Sequence, residues 1–333
     1  MVAERSGEDA LIARYFAPLA GEGGLNLADD AALLTPAPGH DLVLTVDALV
    51  AGIHFFPDDP PASIAAKALG VNLSDLAAKG AEPVGFLLAL ALPKDWTEPW
   101  LASFAGGLGE AAQRHGCPLL GGDTVRAAGA LTLSITAFGQ VPAGGMVRRA
   151  AARPGDRLCV TGTIGDAALG LAMRLTPDAP WAASLASEQR EHLLDRYLHP
   201  RPRLCVAVAL RRHARAAMDV SDGLVGDLAK MMRAGRTSAT VDLDAMPFSQ
   251  AAAAIVVDPA LFERAVTGGD DYELLCAVPE GALDTFRAEC AAAGVPVTVI
   301  GTVTSGTEEP LFTRGGAPVR FAQGSYGHFG DEA

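Results

Sequence analysis

The sequence predicts a two-domain α+β protein, and three observations carry that expectation. Its 333 residues are enough for two well-buried cores. Strand and helix patterns mix along it without the strict alternation of a doubly wound sheet. One break in composition, VPAGGMVRRAAARPGD over 141–156, concentrates Gly, Pro and Arg in mid-chain. The domain boundary is placed there, giving an N-terminal domain over 1–145 and a C-terminal domain over 146–333.

Residues 8–20 read as a short amphipathic helix, and DLVLTVD (41–47) as a strand. The segment 61–80 opens at a Pro and closes at a Gly, as a helix does. The apolar run Val84–Leu92 is too short to span a bilayer and reads as a buried strand. A helix near 97–115 follows, then a short strand leading into Gly121-Gly122-Asp123, then a strand over 131–138. In the second half, DRLCVTG (156–162) reads as a strand followed by a Gly-bounded helix. Helical stretches are expected near 187–197 and 203–215. The segment 216–232 reads as strand, turn and helix, 267–278 as a loop entering a strand, and 297–303 as the last strand.

Half the residues are hydrophobic and only 6% aromatic, as in a compact, helix-rich soluble protein. The net charge of −13 argues against a nucleic-acid partner, and no Lys/Arg run suggests a membrane surface. Five scattered cysteines without a CxxC fit reduced thiols in a cytosolic protein rather than a disulfide framework or a zinc site. The N-terminus lacks the apolar stretch of a secretory signal.

Carboxylates recur at element ends or inside apolar segments: Asp29-Asp30 in LNLADDAALL, Asp47, Asp75, Asp123, Asp219 and Asp222, and Asp270-Asp271. Each has a plain structural reading. Asp222 could lie in the first turn of a helix, Asp75 and Lys79 could form an i,i+4 pair, and the paired aspartates could build turns. The apolar flanks of Asp29-Asp30 place at least one of the pair close to the core. Two carboxylates ~4 Å apart repel by roughly 4 kcal/mol at an effective dielectric near 20, so a protein that gathers several must neutralise them. Basic side chains are thin in these segments, and oxygen-only ligands suit Mg²⁺ held with substrate phosphates.

The sequence has no GxxxxGK[ST], no protein-kinase signature and no GxSxG. VTGTIGDAALG (160–170) carries GxxG rather than GxGxxG, and helix–strand packing explains it better than a dinucleotide. His54, taken alone, reads as a half-buried residue at a strand end, and Tyr326 and His328 as packing residues.

Seven motifs in order change the picture. They are Asp29-Asp30-Ala-Ala-Leu-Leu; Thr45-Val46-Asp47 with Ala51-Gly-Ile-His54-Phe; Val71-Asn72-Leu73-Ser74-Asp75-Leu76; Gly121-Gly122-Asp123-Thr124; Asp219-Val-Ser221-Asp222-Gly223-Leu224; Gly268-Gly269-Asp270-Asp271-Tyr272-Glu273-Leu274; and Tyr326-Gly-His328-Phe329. Together, from about residue 10 to 329, they resemble the thiamine-monophosphate kinase family of the aminoimidazole-ribonucleotide-synthetase superfamily.

The resemblance implies an N-terminal α/β domain whose sheet pairs with that of a second subunit, giving a homodimer, and an α+β C-terminal domain that completes the active site. It implies phosphorylation of thiamine monophosphate to thiamine diphosphate with ATP and several Mg²⁺ ions. Carried over by position, Asp30, Thr45, Val46 (through its carbonyl), Asp47, Asp75, Asp123, Asp219 and Asp222 form the metal set. Gly122, Asp123, Arg149 and Ser221 fall on ATP-binding positions, with Arg148 a near-equal candidate by sequence. His54, Asp270 and Tyr326 fall on substrate positions. Ala28 stands where the family more often has Gly, Asp270 where Glu is frequent, and SYGHF lacks the acidic residue that commonly precedes the His.

The chemistry agrees. A phosphate monoester has a second pKa near 6, so at pH 7 it is already largely a dianionic nucleophile and needs no general base. Alignment and charge neutralisation are what the transfer requires. Within the superfamily, a selenophosphate synthetase would carry a reactive Cys and Lys near its N-terminus, whereas here the first Cys is 117 and the first Lys is 67. A hydrogenase-maturation protein would end in a Cys motif, and no Cys follows 290. A non-catalytic homologue would have lost carboxylates of the metal set, and all are present.

Overall fold

A computed structural model describes residues 7–321 and 324. The described residues up to Leu76, with Ala81–Gly144, form one unit; Ala77–Gly80 and the described residues from Gly145 onward form the other. Mixed helices and sheets in both agree with the α+β expectation.

In the first unit α1 (Glu8–Leu11) continues as a π turn over Ile12–Phe16 and a 3₁₀ turn over Ala17–Leu19. Pro18 has no N–H to donate, so regular α geometry cannot run through it. Then come β1 (His40–Val50), α2 (Pro61–Ala78), β2 (Glu82–Leu92), α3 (Glu98–His115), β3 (Leu119–Arg126) and β4 (Thr132–Pro142). Thr97 caps α3 by accepting the Trp100 N–H, and Gly116, at φ +61°, ends it in the left-handed conformation.

The sheet order is β1-β4-β2-β3, with β2–β3 parallel and the other pairs antiparallel. One face of β1 turns Thr45 and Asp47 toward Asp75 and Asn72 of α2, while Leu76 of α2 lies against Gly139 of β4. Leu69, Leu73 and Leu76 are fully buried, which stabilises by about 1.5–3 kcal/mol for each side chain. Strand periodicity sends Leu42, Leu44 and Val46 to the other face, where they are 36%, 59% and 61% exposed.

The second unit runs β5 (Arg157–Thr161), α4 (Asp166–Leu175), α5 (Pro180–Ala183), α6 (Ser187–Leu198), α7 (Ala207–His213), β6 (Ala216–Asp219), α8 (Leu224–Gly235), β7 (Ser238–Asp242), α9 (Gln250–Ala253), α10 (Pro259–Thr267), β8 (Leu274–Val278), α11 (Leu283–Ala292), β9 (Val297–Thr304), β10 (Leu311–Arg314) and β11 (Ala317–Val319). Its seven strands are ordered β11-β10-β7-β9-β5-β8-β6, antiparallel except for β10–β7.

Period-2 alternation divides this core in two. Leu158, Val160, Met218, Leu275 and Ala277 pack with Leu169, Leu193, Leu224 and Leu261. Cys159, Ala217, Leu274, Cys276 and Val278 pack with Leu210, Phe286 and Cys290. The central strands are therefore covered on both faces and read as unbroken apolar runs. β7, β10, β11, α5, α9, α10 and α11 were not anticipated from the sequence.

Among the described residues no helix is long and apolar enough to cross a membrane. All five thiols are free, and only Cys205 is exposed. Burial pushes Cys117, Cys159 and Cys290 up to about 12, so these are unreactive at neutral pH.

Candidate active site

In the first unit, Thr45 Oγ1 donates to Asp75 Oδ2 at 2.5 Å. Two residues along β1, the Asp47 N–H donates to Asn72 Oδ1 at 3.1 Å, and Asn72 is steadied by donating to the Ala68 carbonyl. Three oxygen-bearing side chains of the proposed metal set thus share the strand–helix seam. Val46 points away from it, on the exposed face, and pairs in register with Thr136 of β4.

A cavity of about 1060 Å³ in the same unit is lined by Asp29, Asp30, Gly122 and Asp123, with Leu33 and Phe138 among its apolar walls. Gly122 sits inside β3, and a Cβ there would lie 1.9 Å from the Leu88 carbonyl oxygen. Only glycine allows β2 and β3 to approach so closely. The expectation that Asp29 or Asp30 lies near the core is corrected here, because both are exposed. Their segment belongs to no regular element, and its apolar neighbours face the cavity: Leu33 is 66% exposed. Upstream, Leu25, Asn26 and Leu27 all take positive φ, a backbone that side-chain-bearing residues rarely adopt. His54 lies in the turn after β1, and its Nδ1 accepts the Val50 N–H at 3.0 Å.

In the second unit β6 ends at Asp219, which is 6% exposed. The chain then turns through Ser221 and Asp222 into α8, with Gly223 at φ +114° lying directly against the Thr267 carbonyl. Asp227, in the first turn of α8, accepts the N–H groups of both Ser221 and Asp222 at 2.9 Å. Lys230 bridges Asp222 and Asp227 at 2.5 and 2.9 Å. Burial pushes the Asp227 carboxyl up, and Lys230 with the Asp222 N–H offsets only part of this. Burial alone would lower Lys230, but its bonds to the two carboxylates outweigh that and raise it.

Beside this turn runs the 268–273 segment. Asp270 N–H donates to the Ser221 carbonyl, Tyr272 N–H to the Val220 carbonyl, and Val220 N–H to the Glu273 carbonyl, all at 2.8 Å. Ser221, Asp222 and Asp270 are therefore neighbours. Arg148 and Arg149 are both exposed, and the 3₁₀ turn Arg149–Ala151 packs against α8 and β6. Tyr326 lies outside the described residues, as do His328 and Phe329.

Among the described residues no group of three or more His, Cys, Asp or Glu side chains forms a ready-made metal cage. The donors are nonetheless all oxygens. A hard cation such as Mg²⁺ takes one or two carboxylates and fills its remaining positions with water and phosphate, so this donor set fits it. Asn72, Asp227 and Lys230 were not singled out from sequence. The available signal was the i,i+3 spacing of Asn72 from Asp75 and of Lys230 from Asp227; nothing local reveals that Asp227 turns back onto two backbone N–H groups.

The two-unit fold belongs to a recognised class. Residues 28–141 match the AIR synthase related protein, N-terminal domain, and residues 153–312 the AIR synthase related protein, C-terminal domain. The chain is 43% identical over 332 residues to the thiamine-monophosphate kinase of Salmonella typhimurium, covering 97% of this chain and 98% of that protein. Two solved structures are similar. Thiamine-monophosphate kinase from Stenotrophomonas maltophilia K279a has a TM-score of 0.80 at 38% identity, over 88% of this chain and 91% of that one. AaThiL complexed with AMPPCP and TMP has a TM-score of 0.76 at 27% identity, over 99% and 100%. The chain belongs to the thiamine-monophosphate kinase family.

Proposed function

We propose that this protein transfers the γ-phosphoryl group of ATP to thiamine monophosphate, giving thiamine diphosphate and ADP. The observation that carries the reading is the similarity, over 99% of the chain, to AaThiL complexed with AMPPCP and TMP.

In this reading Asp30, Thr45, Asp47, Asp75, Asp123, Asp219 and Asp222, with the Val46 carbonyl, hold Mg²⁺. When bound, Mg²⁺ neutralises charge on the phosphates and aligns donor and acceptor for in-line transfer. Gly122 and Asp123 border the ATP site in the first unit, where the absence of a side chain at Gly122 lets β2 pack closely against β3. Ser221, on its Asp227-anchored turn, and Arg149 serve ATP in the second unit. His54, Asp270 and Tyr326 serve the thiamine monophosphate side. No residue acts as a general base, because the acceptor phosphate is already largely ionised at neutral pH.

Residues 1–145 are assigned the Mg-ATP-binding and dimerisation role, and 146–333 the remaining metal, ATP and acceptor contacts. The apolar face of Leu42, Leu44 and Val46 suits pairing with a second copy in a homodimer. A cytoplasmic setting supplies ATP and keeps the thiols reduced.

The test follows thiamine diphosphate directly, alongside ATP consumption, with and without Mg²⁺. Mg²⁺-dependent diphosphate formation with one ADP per turnover is expected. ATP turnover without thiamine diphosphate would overturn the reading.

A further inference from the structure

The Glu273 side chain is fully buried and has no part in the site described above, yet four donors converge on its carboxylate. Thr161 Oγ1 donates at 2.7 Å, Arg196 Nη2 at 3.0 Å and Arg203 Nε at 2.6 Å, with Arg203 Nη2 as the fourth. The same partners hold neighbouring residues. Arg196, 3% exposed, also donates to the Asp271 carbonyl, and Thr161 Oγ1 accepts the Leu274 N–H. The buried Asp271 carboxylate accepts the Gly165 N–H on both oxygens. At Gly162, φ +58°, a Cβ would lie 2.2 Å from Glu273 Oε1 and 2.6 Å from Arg203 Nη2, so only glycine leaves room for the ion pair.

The segment is thus tied from behind at residues 271, 273 and 274, and from the front to Val220 and Ser221. Between these ties Asp270 and Tyr272 stand at φ +73° and +51°. Such backbone persists only where the surroundings over-determine it. A buried ion network is weak evidence for stability, since apolar replacements often serve as well, and Arg196 Nη1 has no hydrogen-bond partner among the described residues. What this network does hold is the conformation that presents Asp270 beside Ser221 and Asp222.

We propose that Glu273, clamped by Arg196 and Arg203, is a positioning residue that sets Asp270 for the phosphoryl acceptor. The proposal rests on the reading of Asp270 as an acceptor-side residue. The turn carrying Ser221 and Asp222 has a second anchor in Asp227, so loosening the network affects the acceptor side more than the ATP side.

The test compares wild type with Arg203→Lys, which keeps the charge but loses the two-pronged guanidinium, and with Glu273→Gln. Asp270→Ala serves as the control for the underlying reading. KM for thiamine monophosphate, KM for ATP, kcat and the unfolding midpoint are measured on each. In Arg203→Lys, KM for thiamine monophosphate is expected to rise about tenfold while KM for ATP stays within about twofold. A purely structural role lowers the active fraction, and with it the apparent kcat, but leaves both KM values in place. That result in Arg203→Lys, with the acceptor KM raised in Asp270→Ala, overturns the proposal and leaves the acceptor-side reading intact. An unchanged acceptor KM in Asp270→Ala overturns that reading and the proposal with it. If Glu273→Gln does not fold, Arg203→Lys decides the matter alone.

Discussion

Thr45 Oγ1 donates to Asp75 Oδ2 across 2.5 Å, tying the middle of β1 to the last turn of α2. A strand residue and a helix residue thirty positions apart are thereby held as one oxygen-rich pair. Thr45→Val keeps the shape and removes the bond; it is expected to lower stability by about 1 kcal/mol and kcat by about tenfold. Urea unfolding and steady-state kinetics check both. Full activity in this variant would show that the Asp75 carboxylate needs no orientation by Thr45.

Asp30 is exposed and Asp222 is half-buried beside Lys230, so neither supports a core. Asp30→Asn and Asp222→Asn are each expected to cut phosphoryl transfer by about a hundredfold or more, with stability changed by less than about 1 kcal/mol. Near-wild-type turnover in either one refutes its place in the metal set.

Gly122→Ala would put a methyl group 1.9 Å from the Leu88 carbonyl oxygen, forcing β2 and β3 apart. A loss of about 2–3 kcal/mol is expected, with a raised KM for ATP. An unchanged thermal midpoint would show that the two strands do not approach this closely in solution.

Asp166, fully buried at the start of α4, accepts from His192 Nε2 at 3.1 Å, Ser249 Oγ at 2.5 Å and Thr163 Oγ1 at 2.6 Å. Burial by itself raises its pKa, but these bonds outweigh burial and lower it below the ordinary carboxylate value. The unfolded chain therefore takes up the proton first as pH falls. Asp166 contributes its full stability above about pH 4 and loses it as pH drops through the depressed folded value. Asp166→Asn is expected to lower stability at pH 7 by about 2 kcal/mol and to flatten the acid limb below pH 4. Urea midpoints of both proteins between pH 6 and 3 test this; parallel acid limbs would remove Asp166 as the source.

Much of the fold was legible because its elements carry local signals. α2 announces itself by Pro61 at one end and Gly80 at the other, β2 by an apolar run, and α3 by the turn-forming Gly116. β7 (SATVD), β10 and β11 were missed because strands of five residues or fewer with mixed polarity carry too little periodicity to register. α10 does carry a local signal, since Asp258 caps and Pro259 opens the helix, whereas α11 starts without a side-chain cap.

The sequence by itself determined the longer elements, the recurrence of carboxylates at element ends, and the ordered motifs that resemble one family. Those are properties of neighbouring residues and of spacing, and they survive without coordinates. Only the tertiary structure decided that Asp29 and Asp30 border a cavity instead of a core, that Asp227 holds the Ser221–Asp222 turn, and that Arg196 and Arg203 close on Glu273. The last pairings span seventy or more residues. Which distant charges meet is settled by how strands and helices pack, because a buried carboxylate takes whatever donors the fold brings within reach.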